Sequence, residues 1–314
     1  MSRWFLGVDG GQSSTAALIG DESGKVVGVG HAGPCNHVST AESHARFREA
    51  IGGAVDAACQ AAGLMEIRFA AACLGLSGGP QDKEALVREM IPAEHHRITN
   101  DAVIALLGAT AGEPGVIAIA GTGSIAYGRN AEGRTARAGG WGYIFGDEGG
   151  AFDLMRQAVR ASLRMEEGWG HATALREALL EATGASDMND LLHRFYTPAY
   201  PRSRIASYAV LVDEAARNGD GAAREILQNA AQALATYAAA VRRQLFHRGE
   251  LARTSYIGGV FRSEILLERF AMLVQLESDA PVHPPAMGPA AGALIEAYRL
   301  AGRRVQPSNA PPGI

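Results

Sequence analysis

Apolar and polar positions alternate through three short runs near the start of the chain, Trp4–Asp9, Thr15–Gly20 and Lys25–His31, and each reads as a strand. The polar stretch DESGK turns the chain between the second and third. From residue 39 the spacing becomes helical: STAESHARFREAIGGAVDAACQAAG carries its apolar residues on one stripe, with Ser39 or Thr40 as the cap. A continuous apolar run, Phe69–Leu76, predicts a buried strand. A helix near Lys83–Met90, a strand over Arg97–Thr99 and a helix from about Asp101 follow. The order is β-β-β-α-β-α-β-α.

After Pro114 the same order begins again. GVIAIAGTGSIAYGRNAEGRTARAGG reads as strand, glycine turn, strand, polar turn and strand, an echo of the opening in pattern and not in residues. A duplicated α/β unit accounts for it economically. Between Asp147 and Phe246 the pattern is almost wholly helical, including the alanine-rich AAREILQNAAQALATYAAAVRRQLF. TSYIGGVFRS then reads as a strand entering a Gly-Gly turn, and MGPAAGALIEAYRLAG as a final helix.

Composition narrows the partners. With 314 residues, 47% of them hydrophobic, the chain is long enough for two domains with real cores. A formal charge of −4 without any Lys/Arg block argues against nucleic acid and against an anionic membrane surface. Asp9 interrupts the first apolar stretch, so it is no signal peptide, and no run reaches the ~18 apolar residues of a spanning helix. Cys35, Cys59 and Cys73 stand far apart, without the spacing of a zinc site or a disulfide framework, and a reducing cytoplasm fits them. His37, His95, His96 and His283 have no ligand-like spacing either. The proline-rich tail RRVQPSNAPPGI reads as loose.

The chemistry lies in the glycine turns. A dinucleotide fold or Walker loop sends its glycines into a helix that holds phosphate at its N-terminus. Here Gly10 and Gly11 lead through Gln12, Ser13 and Ser14 into another strand at Thr15. What remains is a hairpin tip offering backbone N–H groups and the hydroxyls of Ser13, Ser14 and Thr15, a nest suited to phosphate oxygens. Gly121, Thr122, Gly123 and Ser124 form a second tip. Two such tips, one per repeat, would clamp one triphosphate. Asn100 and Asp101 allow two readings side by side, a helix cap and a catalytic carboxylate.

Asp9-Gly-Gly-Gln-Ser-Ser-Thr, Ile98-Thr-Asn-Asp101, Gly121-Thr-Gly-Ser124, Gly140-Trp-Gly-Tyr-Ile-Phe-Gly-Asp-Glu-Gly149 and Ile257-Gly-Gly259 occur in that order. Together they resemble the N-acetylglucosamine kinase branch of the BadF/BadG-type ATPase family, within the actin/hexokinase/Hsp70 superfamily, to about residue 302. The resemblance implies an α/β fold of two ribonuclease H-like (actin-like ATPase) domains with an interdomain cleft. The first domain would span 1–110, with the helix over 287–303 a candidate to rejoin it. The second would span 111–286 with helical insertions, leaving 304–314 as a flexible tail. The implied cofactors are ATP and Mg²⁺, the implied compartment is the cytoplasm, and similar kinases are often homodimers.

Carried across residue by residue, Gly10, Gly11, Gln12, Ser13 and Ser14 would hold the β- and γ-phosphates, with Asp9 reaching Mg²⁺ through water. Gly121, Thr122, Gly123 and Ser124 would face the phosphates from the second domain, and Gly258 and Gly259 would leave bare backbone for adenosine. Asp101 would take the proton of the attacking sugar hydroxyl. Asn36, Ser77, Gly140, Trp141 and Asp147 would line the sugar. Bland readings stand beside these: Trp141 as a core aromatic, Asp147 and Glu148 as an acidic first helical turn.

The activity implied is ATP-dependent phosphorylation of the 6-hydroxyl of N-acetylglucosamine or a related amino sugar such as glucosamine or N-acetylmuramic acid. The rival in the same family is an ATPase that drives a partner protein, and a second rival is a non-catalytic sensor. Activators of 2-hydroxyacyl-CoA dehydratases hold an iron–sulfur cluster by cysteines, and no cysteine follows Cys73. Sugar kinases of the repressor-related type carry a cysteine-rich zinc loop that this chain lacks.

Overall fold

The computed structural model describes residues 3–12, 14–35, 41–65, 67–79, 81–247, 249–250, 252–278 and 281–314, the side chains of residues 41 and 42 excepted. The expected cap Ser39 or Thr40 and the site candidates Ser13 and Asn36 lie outside those residues. The chain divides into two compact units, Met1–Gly115 with Pro284–Ile314, and Val116–His283.

In unit 1, β1 (Phe5–Gly10), β2 (Thr15–Gly20) and β3 (Val26–Ala32) form an antiparallel meander. β4 (Phe69–Leu76) pairs parallel to β1, and β5 (Ala93–Asn100) parallel to β4, giving the order β3-β2-β1-β4-β5. β5 starts earlier than expected because an edge strand needs one neighbour only. Its polar Glu94, His95 and His96 therefore hide it from a hydrophobicity reading. The helices are α1 (Ala41–Ala62), α2 (Glu84–Met90), α3 (Asp101–Ala109) and α11 (Pro289–Leu300), the last supplied by the far end of the chain.

Strand alternation splits the unit into two cores. Leu6, Val8, Ala17 and Ile19 pack with Phe47, Ile51 and Ala54 of α1. Phe5, Leu18, Ala71 and Cys73 pack on the other face with Ile104 of α3 and Leu294 and Tyr298 of α11. Close approach here requires glycine at two places. A Cβ on Gly7 would stand 2.3 Å from the Leu294 backbone nitrogen, and one on Gly292 would stand 2.0 Å from the Ile104 carbonyl oxygen. α11 thus lies backbone to backbone against β1 and against the helix that begins with Asp101.

The tail expected to be loose is docked on this unit. Val26 donates to the Ser308 carbonyl (3.0 Å) and Ser308 to that of Gly24 (2.8 Å), while Val305, Ala310 and Ile314 cover the second core. The physical reason is that the start of β3 offers unpaired backbone groups and a row of apolar residues needs covering.

Unit 2 repeats the plan. Its sheet, in the order β10-β9-β6-β7-β8, uses β6 (Gly115–Ala120), β7 (Ser124–Arg129), β8 (Thr135–Gly139), β9 (Arg253–Ile257) and β10 (Val282–His283). Numbered within each unit, both sheets run third-second-first-fourth-fifth, as duplication requires. Between β8 and β9 come α4 (Ala151–Glu166), α5 (Leu175–Thr183), α6 (Met188–Phe195), α7 (Arg202–Ser207), α8 (Val210–Arg217) and α9 (Gly221–Leu245). α9 starts on Asp220, whose carboxylate accepts from the Ala223 N–H at 2.8 Å, and buries Ala223, Ala230, Ala231, Ala235 and Ala238. α10 (Glu264–Ser278) and β10 fall where the sequence reading assigns no element. Leu266, Phe270 and Val274 give α10 its buried stripe. Among the described residues, no helix is long and apolar enough to cross a membrane.

Gly→Ala inside a helix ordinarily stabilises by about 1 kcal/mol. At Gly292 the overlap with α3 reverses that sign, and Gly292→Ala should destabilise by about 2 kcal/mol, lowering the melting temperature by roughly 4–8 °C. Thermal denaturation followed by circular dichroism checks it. An unchanged or raised melting temperature would show that α3 and α11 separate at no cost.

Candidate active site

The parallel strands β1, β4 and β5 place their C-terminal ends on one edge, and three candidate residues gather there. Register aligns Asp9 with Gly75 and Gly75 with Thr99, so Asp101 begins α3 two residues beyond that row. The cap falls to Asn100 and not to Asp101. Asn100 is the cap, its Oδ1 accepting from the Val103 N–H at 3.0 Å. Asp101 is left to present a carboxylate: Oδ1 accepts from the Ala102 N–H (2.9 Å) and Oδ2 from the Ser77 hydroxyl (2.7 Å).

Ser77 follows β4 and is itself tied down, its N–H donating to the Gly10 carbonyl at 3.0 Å. The turn it opens passes through Gly78 and Gly79, both in the left-handed region at φ 76° and 86°. The wholly buried Lys83 reaches back to it, Nζ donating to the carbonyls of Ser77 (3.1 Å) and Gly79 (3.0 Å).

Asp9 sits where a carboxylate is poorly solvated. Burial, and after it the Asp101 charge, push its pKa up from 3.8 to about 7. No group of three or more His, Cys, Asp or Glu residues suited to a metal occurs among the described residues. A hydrated magnesium ion needs only one or two carboxylates beside phosphate oxygens. The Asp9–Asp101 pair, whose charges repel, has the donor chemistry for one.

At the first hairpin tip the Gly11 N–H donates to the Ser14 carbonyl (3.0 Å), and the side chains of Gln12 and Ser14 are exposed. Gly10 is closely packed: a Cβ there would lie 2.7 Å from Leu76 Cδ2 and 3.3 Å from the Cys35 sulfur, and the Leu76 side chain would have to shift. The Thr15 hydroxyl, expected at the tip, is instead buried and donates to the Gly33 carbonyl at 2.9 Å. Strand alternation turns it inward.

Unit 2 carries the second tip. The Gly121 N–H donates to the Gly123 carbonyl (3.0 Å), and the first turn of α4 closes on the tip, Ala151 donating to the Gly121 carbonyl (2.8 Å) and Phe152 to that of Thr122 (3.1 Å). The Ser124 hydroxyl is buried and donates to the Glu148 carbonyl at 2.6 Å. Beneath Gly123 lies a half-buried ion pair: Arg202 Nη2 donates to the buried Asp147 Oδ2 at 2.9 Å. A Cβ on Gly123 would stand 2.3 Å from that oxygen.

Asp147 has φ 63°, a conformation few non-glycine residues adopt. Neither it nor Glu148 lies in a first helical turn, since α4 begins at Ala151 and Asp153 is its acidic first-turn residue. Glu148 accepts instead from the Tyr237 hydroxyl of α9, and burial, followed by that bond, pushes the Tyr237 pKa well up. Trp141 is 66% exposed, which removes the core-aromatic reading, and the Arg137 guanidinium lies 4.6 Å from its ring centre. Gly140 has φ 71°, and its N–H donates to the Ser124 carbonyl at 2.9 Å.

A cavity of about 480 Å³ opens within unit 2, bordered by Gly121, Leu154, Val210, Asp213, Gly259 and Arg262. It joins the second tip to the Gly-Gly turn, two motifs far apart in the chain. Gly258 holds φ 117°, and a Cβ there would meet the Ala120 carbonyl oxygen at 2.2 Å; Gly259 has nothing within 4 Å of its Cβ position and leaves bare backbone. Sequence reasoning missed Lys83, Arg202, Tyr237 and the cavity wall from α7 and α8. They sit in ordinary helical pattern with no motif to mark them.

Residues 6–297 match the family described as the BadF/BadG/BcrA/BcrD ATPase family. An N-acetylmuramic acid/N-acetylglucosamine kinase of Clostridium acetobutylicum is 31% identical over 281 residues, 87% of this chain and 91% of that protein. An N-acetyl-D-glucosamine kinase of Dictyostelium discoideum is 32% identical over 244 residues, 73% of this chain and 76% of that one. A crystal structure from Chromobacterium violaceum, provisionally assigned as an N-acetylglucosamine kinase, matches with a TM-score of 0.78 at 26% identity, covering 95% of this chain and 99% of its own. With the duplicated sheets and the motif-bearing turns already in place, a match of this extent is decisive: the chain belongs to the BadF/BadG/BcrA/BcrD ATPase family.

Proposed function

We propose that this protein is an ATP-dependent amino-sugar kinase that phosphorylates the 6-hydroxyl of N-acetylglucosamine, N-acetylmuramic acid or glucosamine. The observation that carries the reading is Asp101, a carboxylate relieved of the helix cap by Asn100 and presented beside Asp9 at the ends of three parallel strands. Relatives that carry amino-sugar kinase names along most of their length support it.

Asp101 accepts the proton of the sugar hydroxyl as that oxygen attacks the γ-phosphorus and the bond to the β,γ-bridging oxygen breaks to release ADP, while Ser77 keeps the carboxylate aimed. Phosphoryl transfer asks mostly for position and charge neutralisation, so the remaining residues serve those ends. The tips Gly10–Ser14 and Gly121–Ser124 offer backbone N–H groups to the phosphates. The unit 2 cavity has room for adenosine against Gly259. Asp9 would hold Mg²⁺ through water, and the ion would supply positive charge to the β- and γ-phosphate oxygens. Asn36, Gly140, Trp141 and Asp147 orient the sugar, Asp147 while its other oxygen stays on Arg202. A cytoplasmic setting suits a consumer of ATP.

ADP release with Mg-ATP against glucose, glucosamine, N-acetylglucosamine, N-acetylmannosamine and N-acetylmuramic acid is the direct test. One amino sugar should raise turnover strongly, and Asp101→Asn should lower kcat by about 10²–10⁴-fold. Equal ADP with and without every sugar would favour the ATPase that drives a partner protein. Asp9 gives a second, pH-dependent expectation. Its folded pKa of about 7 lies above the unfolded 3.8, so the stability it lends is complete at pH values below about 4 and is lost as pH rises through 7. Asp9→Asn should therefore abolish turnover yet melt higher than wild type without nucleotide or metal, by a margin larger at pH 8 than at pH 5. A margin that does not grow with pH would show that burial does not strain this carboxyl.

A further inference from the structure

We infer that Lys83 is a positioning residue for the catalytic carboxylate, acting through the Ser77–Gly79 turn; the inference rests on the kinase reading above. The ammonium is wholly buried at the start of α2, where a charge persists only with close partners. Its partners belong to one short segment: the carbonyl oxygens of Ser77 and Gly79, at 3.1 and 3.0 Å, with Asp82 Oδ1 at 3.5 Å.

That segment needs an external clamp. Two consecutive left-handed glycines, Gly78 and Gly79, have more backbone freedom to lose than any other pair of residues. The Gly79 N–H closes the turn onto the Leu76 carbonyl at 3.1 Å, and the Ser77 N–H ties its first residue to Gly10. Lys83 binds two of the carbonyls that those bonds leave over, those of Ser77 and Gly79. The restrained residue then points its hydroxyl at Asp101 Oδ2 from 2.7 Å. The line runs from a buried cation, through two carbonyls and one hydroxyl, to the oxygen of the base. A base misdirected by an ångström loses much of its rate.

A double-mutant cycle separates this role from a merely structural one. Ser77→Ala should lower kcat about tenfold. Lys83→Met should lower it by at least as much, and the combined variant by no more than the larger single effect, with KM for ATP within about twofold of wild type throughout. Lys83→Gln keeps two N–H donors for the two carbonyls and should recover kcat to within about threefold of wild type. Should Lys83→Met not fold, the same cycle is run with Ser77→Ala and Lys83→Asn, whose amide keeps a polar group at the buried position but is too short to reach the two carbonyls. Single effects that multiply, a glutamine variant as impaired as the methionine one, or a Lys83→Met that loses thermal stability with kcat intact would each overturn the inference. A wild type that no amino sugar stimulates overturns the kinase reading and this inference together. A sugar-dependent wild type with multiplying variants overturns this inference alone.

Discussion

Unit 1 is organised around the cost of holding two carboxylates, Asp9 and Asp101, near one another at the edge of a buried sheet. Taking a carboxylate out of water is unfavourable, and a second negative charge makes it more so. The rise of the Asp9 pKa to about 7 registers both effects. Such an arrangement persists only if the surrounding frame is rigid enough to forbid relaxation. The frame is supplied by three parallel strands and by the backbone contact of α11 on Gly7 of β1 and Gly292 against α3. The last helix of the chain thereby holds in place the helix whose first residue is the proposed base. Two carboxylates held together in this way are suited to a ligand that brings positive charge.

Unit 2 solves a different problem with similar means. Its hairpin tip is backbone, which can offer donors but cannot hold itself in shape. The shape comes from neighbours: the first turn of α4 closes on Gly121 and Thr122, the Ser124 hydroxyl fixes Glu148, and Tyr237 of α9 grips the Glu148 carboxylate. The Asp147–Arg202 pair lies directly under Gly123, so no larger residue fits there. The helical insertion therefore does more than enlarge the core. It provides Arg202, Tyr237 and the wall of the cavity that meets the Gly-Gly turn.

Most of the strands were legible because their apolar runs, bounded by turn residues, survive unchanged: β2 and β4 have the boundaries their apolar pattern predicts. The duplication was legible for the same reason, since turn glycines between strands mark both repeats. The pattern shows only the end of β5, does not mark α10 and β10, and gives the tail no sign of order. In each case the missing information was a neighbour. An edge strand may carry polar residues, and a proline-rich tail becomes ordered once a strand end offers it hydrogen bonds.

By itself the sequence determined the elements, their repetition and the motifs that tie the chain to its family, because local propensity and glycine turns act over a few residues. It left Asn100 and Asp101 as rivals for one role, Ser77 with an uncertain place, and Lys83 without any. Only the tertiary structure separated cap from carboxylate and turned the Thr15 hydroxyl inward. It also brought Lys83, Ser77 and Asp101 into one line. Hydrogen bonds between residues six, eighteen or twenty-four positions apart are decided by how strands stack and which faces they bury, and no local pattern encodes that.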